Sequence, residues 1–189
     1  MNVFVLNTGR CGSVSLNAAC SYITNFTSAH ESRSNLNIDY PENHIEIDNR
    51  LSWFLGRLEK KYGDNAKYVH LKRNPDKVAN SMLNRYNKGI MKGYHKRILL
   101  FKPNATKLEI CEDYVHTVNS NIEVFLKDKT HVMEMNIENF SEDFKKFWDF
   151  IDAQGNLEQA LEELSKKHNV SKKYKFDYIK NNFFKNFWN

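Results

Sequence analysis

The stretch Phe4-Val5-Leu6-Asn7-Thr8-Gly9-Arg10-Cys11-Gly12-Ser13-Val14-Ser15 decides the fold. An apolar run enters a turn with two glycines, and a helix from about Gly12 to Tyr22 opens on small polar residues. Strand, tight turn and helix in this order aim backbone N–H groups and a helix N-terminus at one spot, which makes an anion site. Arg10 adds a fixed positive charge. The nucleotide-triphosphate loop G-x-x-x-x-G-K-[ST] is absent. Gly9 and Gly12 stand three apart, and no Gly-Lys-Ser/Thr follows. The turn suits a phosphate or sulfate held without that loop.

Outward from this stretch, strands and helices alternate. Val3–Leu6 reads as a strand buried on both faces, and Phe26–Ala29 as a second strand. Glu31 to Asp48 is polar, carries Pro41 and reads as a loop. Asp48 or Asn49 caps a helix whose Leu51, Phe54, Leu55, Leu58 and Tyr62 share a face. Tyr68–Leu71 is the next strand, with His70 as a satisfied core histidine. Asn74 and Pro75 are an N-cap and first-turn proline for a helix to about Tyr86. Residues 87–107 are weakly periodic and basic, and read as a mobile lid or substrate loop. A helix over Leu108–Leu126, a strand over His131–Met135, a helix from Ser141 and a short helix over 157–167 follow. The pattern predicts an α/β fold: a single P-loop-like three-layer α/β/α domain with a central parallel β-sheet of four or five strands. The domain is expected to span 1–165, with a basic aromatic tail, 166–189, packed on it.

Composition bounds the function classes. The chain has 189 residues, 41% hydrophobic and 13% aromatic, enough for one domain with one core. No apolar run has the length of a membrane span. The chain enters its first strand with no basic leader, so the expected location is cytoplasmic. Cys11, Cys20 and Cys111 are odd in number, lack metal-ligand spacing and read as reduced thiols. The net charge of +5 is uneven: Lys77 to Leu108 holds eight Lys/Arg and no acid, and Lys166 onward holds seven Lys and one Asp. Two basic zones suit an anionic ligand or nucleic acid, although a solvated surface is the plainer origin of such runs.

The second informative stretch is Tyr68-Val69-His70-Leu71-Lys72-Arg73-Asn74-Pro75, with Ser81 eight positions after Arg73. Arg73 stands at the carboxyl end of a strand, where α/β folds bind ligands. An arginine folding back along the helix can meet the Ser81 hydroxyl on one phosphate, and its planar fork suits bidentate contact.

Together the two motifs resemble those of sulfotransferases that use 3′-phosphoadenosine 5′-phosphosulfate (PAPS). In that family a strand–loop–helix holds the 5′-phosphosulfate, and an Arg and a Ser eight apart hold the 3′-phosphate. The resemblance implies donor-binding roles for Thr8, Gly9, Arg10, Cys11, Gly12, Ser13, Val14 and Ser15, and for Arg73 and Ser81. Arg10 would also act on the leaving group. PAPS would be the sulfuryl donor and 3′-phosphoadenosine 5′-phosphate (PAP) the product, with no metal required. Met135-Asn136-Ile137-Glu138-Asn139-Phe140 is similar to a further strand end of the family, and His168–Lys173 to its basic loop over the nucleotide. Three departures stand out. Many members have Lys where Arg10 stands and Thr where Val14 stands, so Ser13 or Ser15 must supply the hydroxyl; the adenine-stacking Trp is missing.

Sulfuryl transfer needs a base for the acceptor's proton. His30 and Glu31, directly after the second strand, are the candidates, with Glu31 favoured and Arg33 placed to hold that carboxylate or the substrate. The acceptor is expected to be polar, a hydroxyl or amine. Two alternatives stay open: a small-molecule or nucleoside phosphotransferase, disfavoured by the missing Gly-Lys-Ser/Thr, and a noncatalytic nucleic-acid-binding module using the basic tail, the less favoured partner.

Overall fold

A computed structural model describes residues 1–32, 36–101 and 104–166. Arg33, the loop His168–Lys173 and the tail beyond Lys166 lie outside the described residues.

Five strands form one parallel sheet in the order β2-β3-β1-β4-β5: β1 Asn2–Leu6, β2 Thr27–His30, β3 His44–Ile47, β4 Ala66–Lys72 and β5 Val132–Asn136. The helices are α1 Ser13–Cys20, α2 Leu55–Tyr62, α3 Pro75–Leu83, α4 Gly89–Gly93, α5 Lys107–Leu126, α6 Phe140–Phe150 and α7 Leu157–Ser165. Every residue of β1 is buried, as its unbroken apolar run requires of a strand covered on both faces. Side chains of β4 alternate: Tyr68 meets Phe125 of α5 edge-on and His70 reaches Asn119 of the same helix, leaving Val69 and Leu71 to the opposite face. Helices α3 and α5 pack together, and α1, α6 and α7 form a second group. The three-layer parallel α/β expectation therefore holds.

The departures have physical reasons. Residues 31–48, read as a loop, contain β3. Its sequence, His44-Ile45-Glu46-Ile47, alternates polar and apolar, yet all four are buried because polar partners cover His44 and Glu46. The helix expected from Asp48 is split: Asp48 caps a short 3-10 turn, Asn49–Trp53, and α2 begins after Phe54. Within the expected loop 87–107, residues 87–101 are less irregular than their weak periodicity suggests. Helix α4 continues into a π-helical turn, Tyr94–Ile98, anchored by buried Met91 and Tyr94. Tyr94 donates to Asp113 at 2.5 Å and meets Tyr114 edge-on. His70 is only half satisfied: its Nε2 pairs with Asn119 at 3.2 Å, and its Nδ1 has no partner among the described residues.

Candidate active site at the carboxyl ends of the strands

Strand β1 hands its chain to a loop held from four sides. Asn7, fully buried, accepts the Gly9 N–H through Oδ1 at 2.7 Å. The Asn7 carbonyl accepts the Ser52 hydroxyl at 3.2 Å, and the Thr8 carbonyl accepts the Tyr114 hydroxyl at 3.0 Å. The Cys11 thiol lies 3.0 Å from Thr8 Oγ1 and donates to the Gly9 carbonyl at 3.3 Å. These contacts hold Gly9, Arg10 and Gly12 in the left-handed region, at φ +78°, +62° and +82°. A Cβ on Gly9 would stand 2.6 Å from Asn49 Nδ2, and one on Gly12 2.6 Å from Ile137 Cδ1. The left-handed backbone favours glycine at both positions, and any side chain there would have to push these neighbouring side-chain ends aside. Gly12 gives α1 no side-chain cap, so the first-turn amides beside Ser13, Val14 and Ser15 keep their capacity for an anion.

Arg10 joins this loop to the second motif. Its Nε donates to Ser81 Oγ at 2.9 Å, and its carbonyl accepts Arg73 Nη1 at 2.9 Å. Arg73 and Ser81 thus reach the same place, through Arg10 rather than through each other. Local sequence fixes both. Arg73 follows the last residue of β4, and Asn74 caps α3 by accepting the Lys77 N–H at 3.1 Å, with Pro75 in the first turn. Burial and the nearby charges of Arg85 and Arg73 hold the Arg10 guanidinium below its ordinary pKa. Like charges gathered at one loop favour an anion. The Cys11 thiol is pushed up to about 11 by burial, so it serves the loop as a neutral packing and hydrogen-bonding group.

Strand β2 ends beside this loop. His30 Nε2 lies 3.0 Å from Ser13 Oγ, which brings the imidazole to the start of α1. Glu31 extends the ladder by donating its N–H to the Ile47 carbonyl at 3.2 Å, then turns left-handed at φ +50° with its side chain exposed. Its carboxylate is among the charges that raise the Arg50 pKa. Arg50 is gripped by buried Asp48 through Nε at 2.9 Å and Nη2 at 2.8 Å.

Sequence reasoning missed several of these residues. Asp48, Asn49 and Arg50 belong to the site's edge because they follow β3, and finding β3 was the only route to them. Tyr114 gave a helical core signal that does not distinguish a hydroxyl aimed at the loop. Glu138, in the third family-like segment, accepts the Asn74 N–H at 3.3 Å and the Lys77 ammonium at 3.3 Å, tying β5's exit to the start of α3. Among the described residues, no three His, Cys, Asp or Glu side chains are grouped to hold a metal ion. No described helix is long and apolar enough to cross a membrane.

No protein-family model matches the chain, and no curated protein matches its sequence. Solved structures do. The sulfotransferase domain from the curacin biosynthetic pathway superposes with a TM-score of 0.62 at 15% identity, over 88% of this chain and 78% of that one. Mouse sulfotransferase SULT7A1 complexed with PAP gives 0.60 at 16% identity, over 90% of this chain and 68% of that one. With its five-stranded parallel sheet, its flanking helices and its loop after β1, the chain has the sulfotransferase fold.

Proposed function

We propose that this protein is a PAPS-dependent sulfotransferase acting on a hydroxyl or amine of a polar acceptor. The observation that carries the reading is the convergence of Arg10, Ser81 and Arg73, from two strand ends, on one left-handed loop. Phosphate-sized anions fit that arrangement, since backbone amides, a hydroxyl and guanidinium groups meet there. The likeness to a fold neighbour complexed with PAP supports the choice of nucleotide.

PAPS supplies a sulfuryl group already activated on its 5′-phosphate. The residues of the chain supply position and charge. The first-turn amides of α1 and Ser13 hold the sulfuryl end. Arg10 carries positive charge at the bridging oxygen, where negative charge grows as the leaving phosphate departs. Arg73 and Ser81 bind the 3′-phosphate and so set the donor's register. The acceptor's proton goes to His30 or Glu31. The contact between His30 and Ser13 favours His30, because a base has to reach the atom beside the sulfuryl group.

Labelled PAPS, offered with a library of sugar, amino-sugar, phenol and alcohol acceptors in EDTA, tests the proposal. Transfer to one acceptor class, lost in Arg10→Ala, supports it. No transfer to any acceptor and no release of PAP overturns it.

A further inference from the structure

A buried polar chain runs under the turn that carries His30 and Glu31, and the chemistry described above does not use it. Glu46, in the middle of β3, is fully buried. Its Oε1 accepts the Ser32 N–H at 2.9 Å, and its Oε2 accepts the Ser32 hydroxyl at 2.5 Å. Oε2 also meets His44 Nε2 at 3.0 Å, and His44 Nδ1 meets Thr27 Oγ1 at 2.8 Å. A carboxylate only accepts, so Nε2 carries a proton toward Glu46, and Nδ1 shares a hydrogen bond with the Thr27 hydroxyl. Tyr40 stacks on His44, with ring centroids 5.5 Å apart, and helps close the chain from water. Burial raises the Glu46 pKa, but the hydrogen bonds from His44 and Ser32 outweigh it and the net shift is downward, so the group stays ionised.

The anchored residue is the one that follows the two candidate bases. The β2–β3 ladder pairs Ala29 with Glu46 and His30 with Ile47, and its last bond is from the Glu31 N–H to the Ile47 carbonyl. Glu31 then adopts φ +50°, a region that disfavours a residue with a side chain. Such a turn persists only where its surroundings over-determine it. One carboxylate gripping both the amide and the hydroxyl of Ser32 provides that. We propose that Glu46 is a positioning residue for the sulfuryl-transfer site: it pins Ser32, and so holds His30 against Ser13 and fixes the direction of Glu31. The inference rests on the sulfotransferase reading, while Glu46 itself lies beneath the site.

The test is Glu46→Gln in the full chain, read by kcat, by the KM for PAPS, and by amide hydrogen exchange. Gln matches the shape but removes the charge. The expected result is a kcat lowered by about 10- to 100-fold, as for misplaced reacting groups. The KM for PAPS and the affinity for PAP should stay near the parent's. Exchange should accelerate at Glu31 and Ser32 by roughly tenfold or more while the β1 and β4 amides stay protected. On a His30→Ala or Glu31→Gln background, whichever removes the base, Glu46→Gln should add no further loss. Ser32→Ala, which spares the core and keeps the backbone bond, should show a smaller loss of the same kind if Glu46→Gln folds poorly. Unchanged kcat and exchange, equal loss of PAP affinity and turnover, or full additivity with the base variant each overturn the proposal. Should the parent neither bind PAP nor transfer sulfate, the donor reading fails on that evidence alone. Exchange at Glu31 and Ser32 then still decides whether Glu46 holds the turn, and unchanged exchange overturns it.

Discussion

Arg10 Nε donates to Ser81 Oγ at 2.9 Å, joining the loop after β1 to the second turn of α3 across 71 residues of sequence. Arg73 completes the join by donating to the Arg10 carbonyl. Under the proposed function, the side chains that read the 3′-phosphate also brace the loop that holds the 5′-phosphosulfate.

This coupling sets the first prediction. Ser81→Ala and Arg73→Ala should each weaken PAP binding by about one to two decades, the loss of a charged hydrogen-bonding partner being worth about 1.5–3 kcal/mol. Ser81→Ala should weaken adenosine 5′-phosphosulfate, which lacks the 3′-phosphate, only mildly, through the partner that Arg10 Nε loses. Arg73→Ala should weaken that ligand mildly as well, because the Arg10 carbonyl loses its donor. Competition assays with the two nucleotides measure both effects.

A second prediction separates the two candidate bases. His30→Ala should leave PAP affinity near the parent's and lower turnover by roughly 10²-fold or more, as expected for loss of a general base. Glu31→Gln should cost less, because Glu31 is exposed while His30 is the one that meets Ser13. Steady-state kinetics of the pair decide. A dead Glu31→Gln beside an active His30→Ala moves the role to Glu31.

Much of this fold is legible in the sequence. The unbroken apolar run of β1, the glycines beyond it and the Asn74-Pro75 start of α3 are all local signals, and all describe what formed. What stayed hidden depends on partners distant in sequence. Strand β3 was missed because His44 and Glu46 look solvated until Thr27 and Ser32 are placed against them. The reach of Arg10 to Ser81 was missed because helix direction, not spacing, decides which of two arginines meets that hydroxyl. The different surroundings of His30 and Glu31 follow from β2 ending at His30 and the left-handed turn at Glu31, neither of which the local sequence shows.

Thiol chemistry gives a third prediction. Cys11, Cys20 and Cys111 are free and buried, and burial pushes the thiols of Cys11 and Cys111 up to about 11. At neutral pH the native protein should resist an aromatic disulfide reagent for many minutes, and all three thiols should react once denatured. Rapid labelling of Cys11 in the native state would mean that the loop opens freely, against the bracing described above.

His70 supplies a pH prediction. Burial, aided by the charge of Lys72, lowers its pKa from 6.5 to about 4. The unfolded chain therefore binds a proton that the folded chain refuses between those values. Stability from this group is present in full above pH 6.5, falls as the pH drops, and levels off below 4. The total is roughly 3 kcal/mol at about 1.4 kcal/mol per pH unit. His70→Leu should flatten the fall of the urea midpoint between pH 6.5 and 4.5 relative to the parent. An equal slope in both proteins would show that His70 is not the group responsible.

Binding of PAP in the absence of metal tests the central claim most directly. Titration calorimetry in EDTA should show one PAP bound per chain, with affinity lowered at least about tenfold in Arg73→Ala, while ATP with magnesium binds more weakly than PAP. No heat with PAP, or tighter binding of magnesium-ATP that Arg73→Ala leaves untouched, would contradict the account.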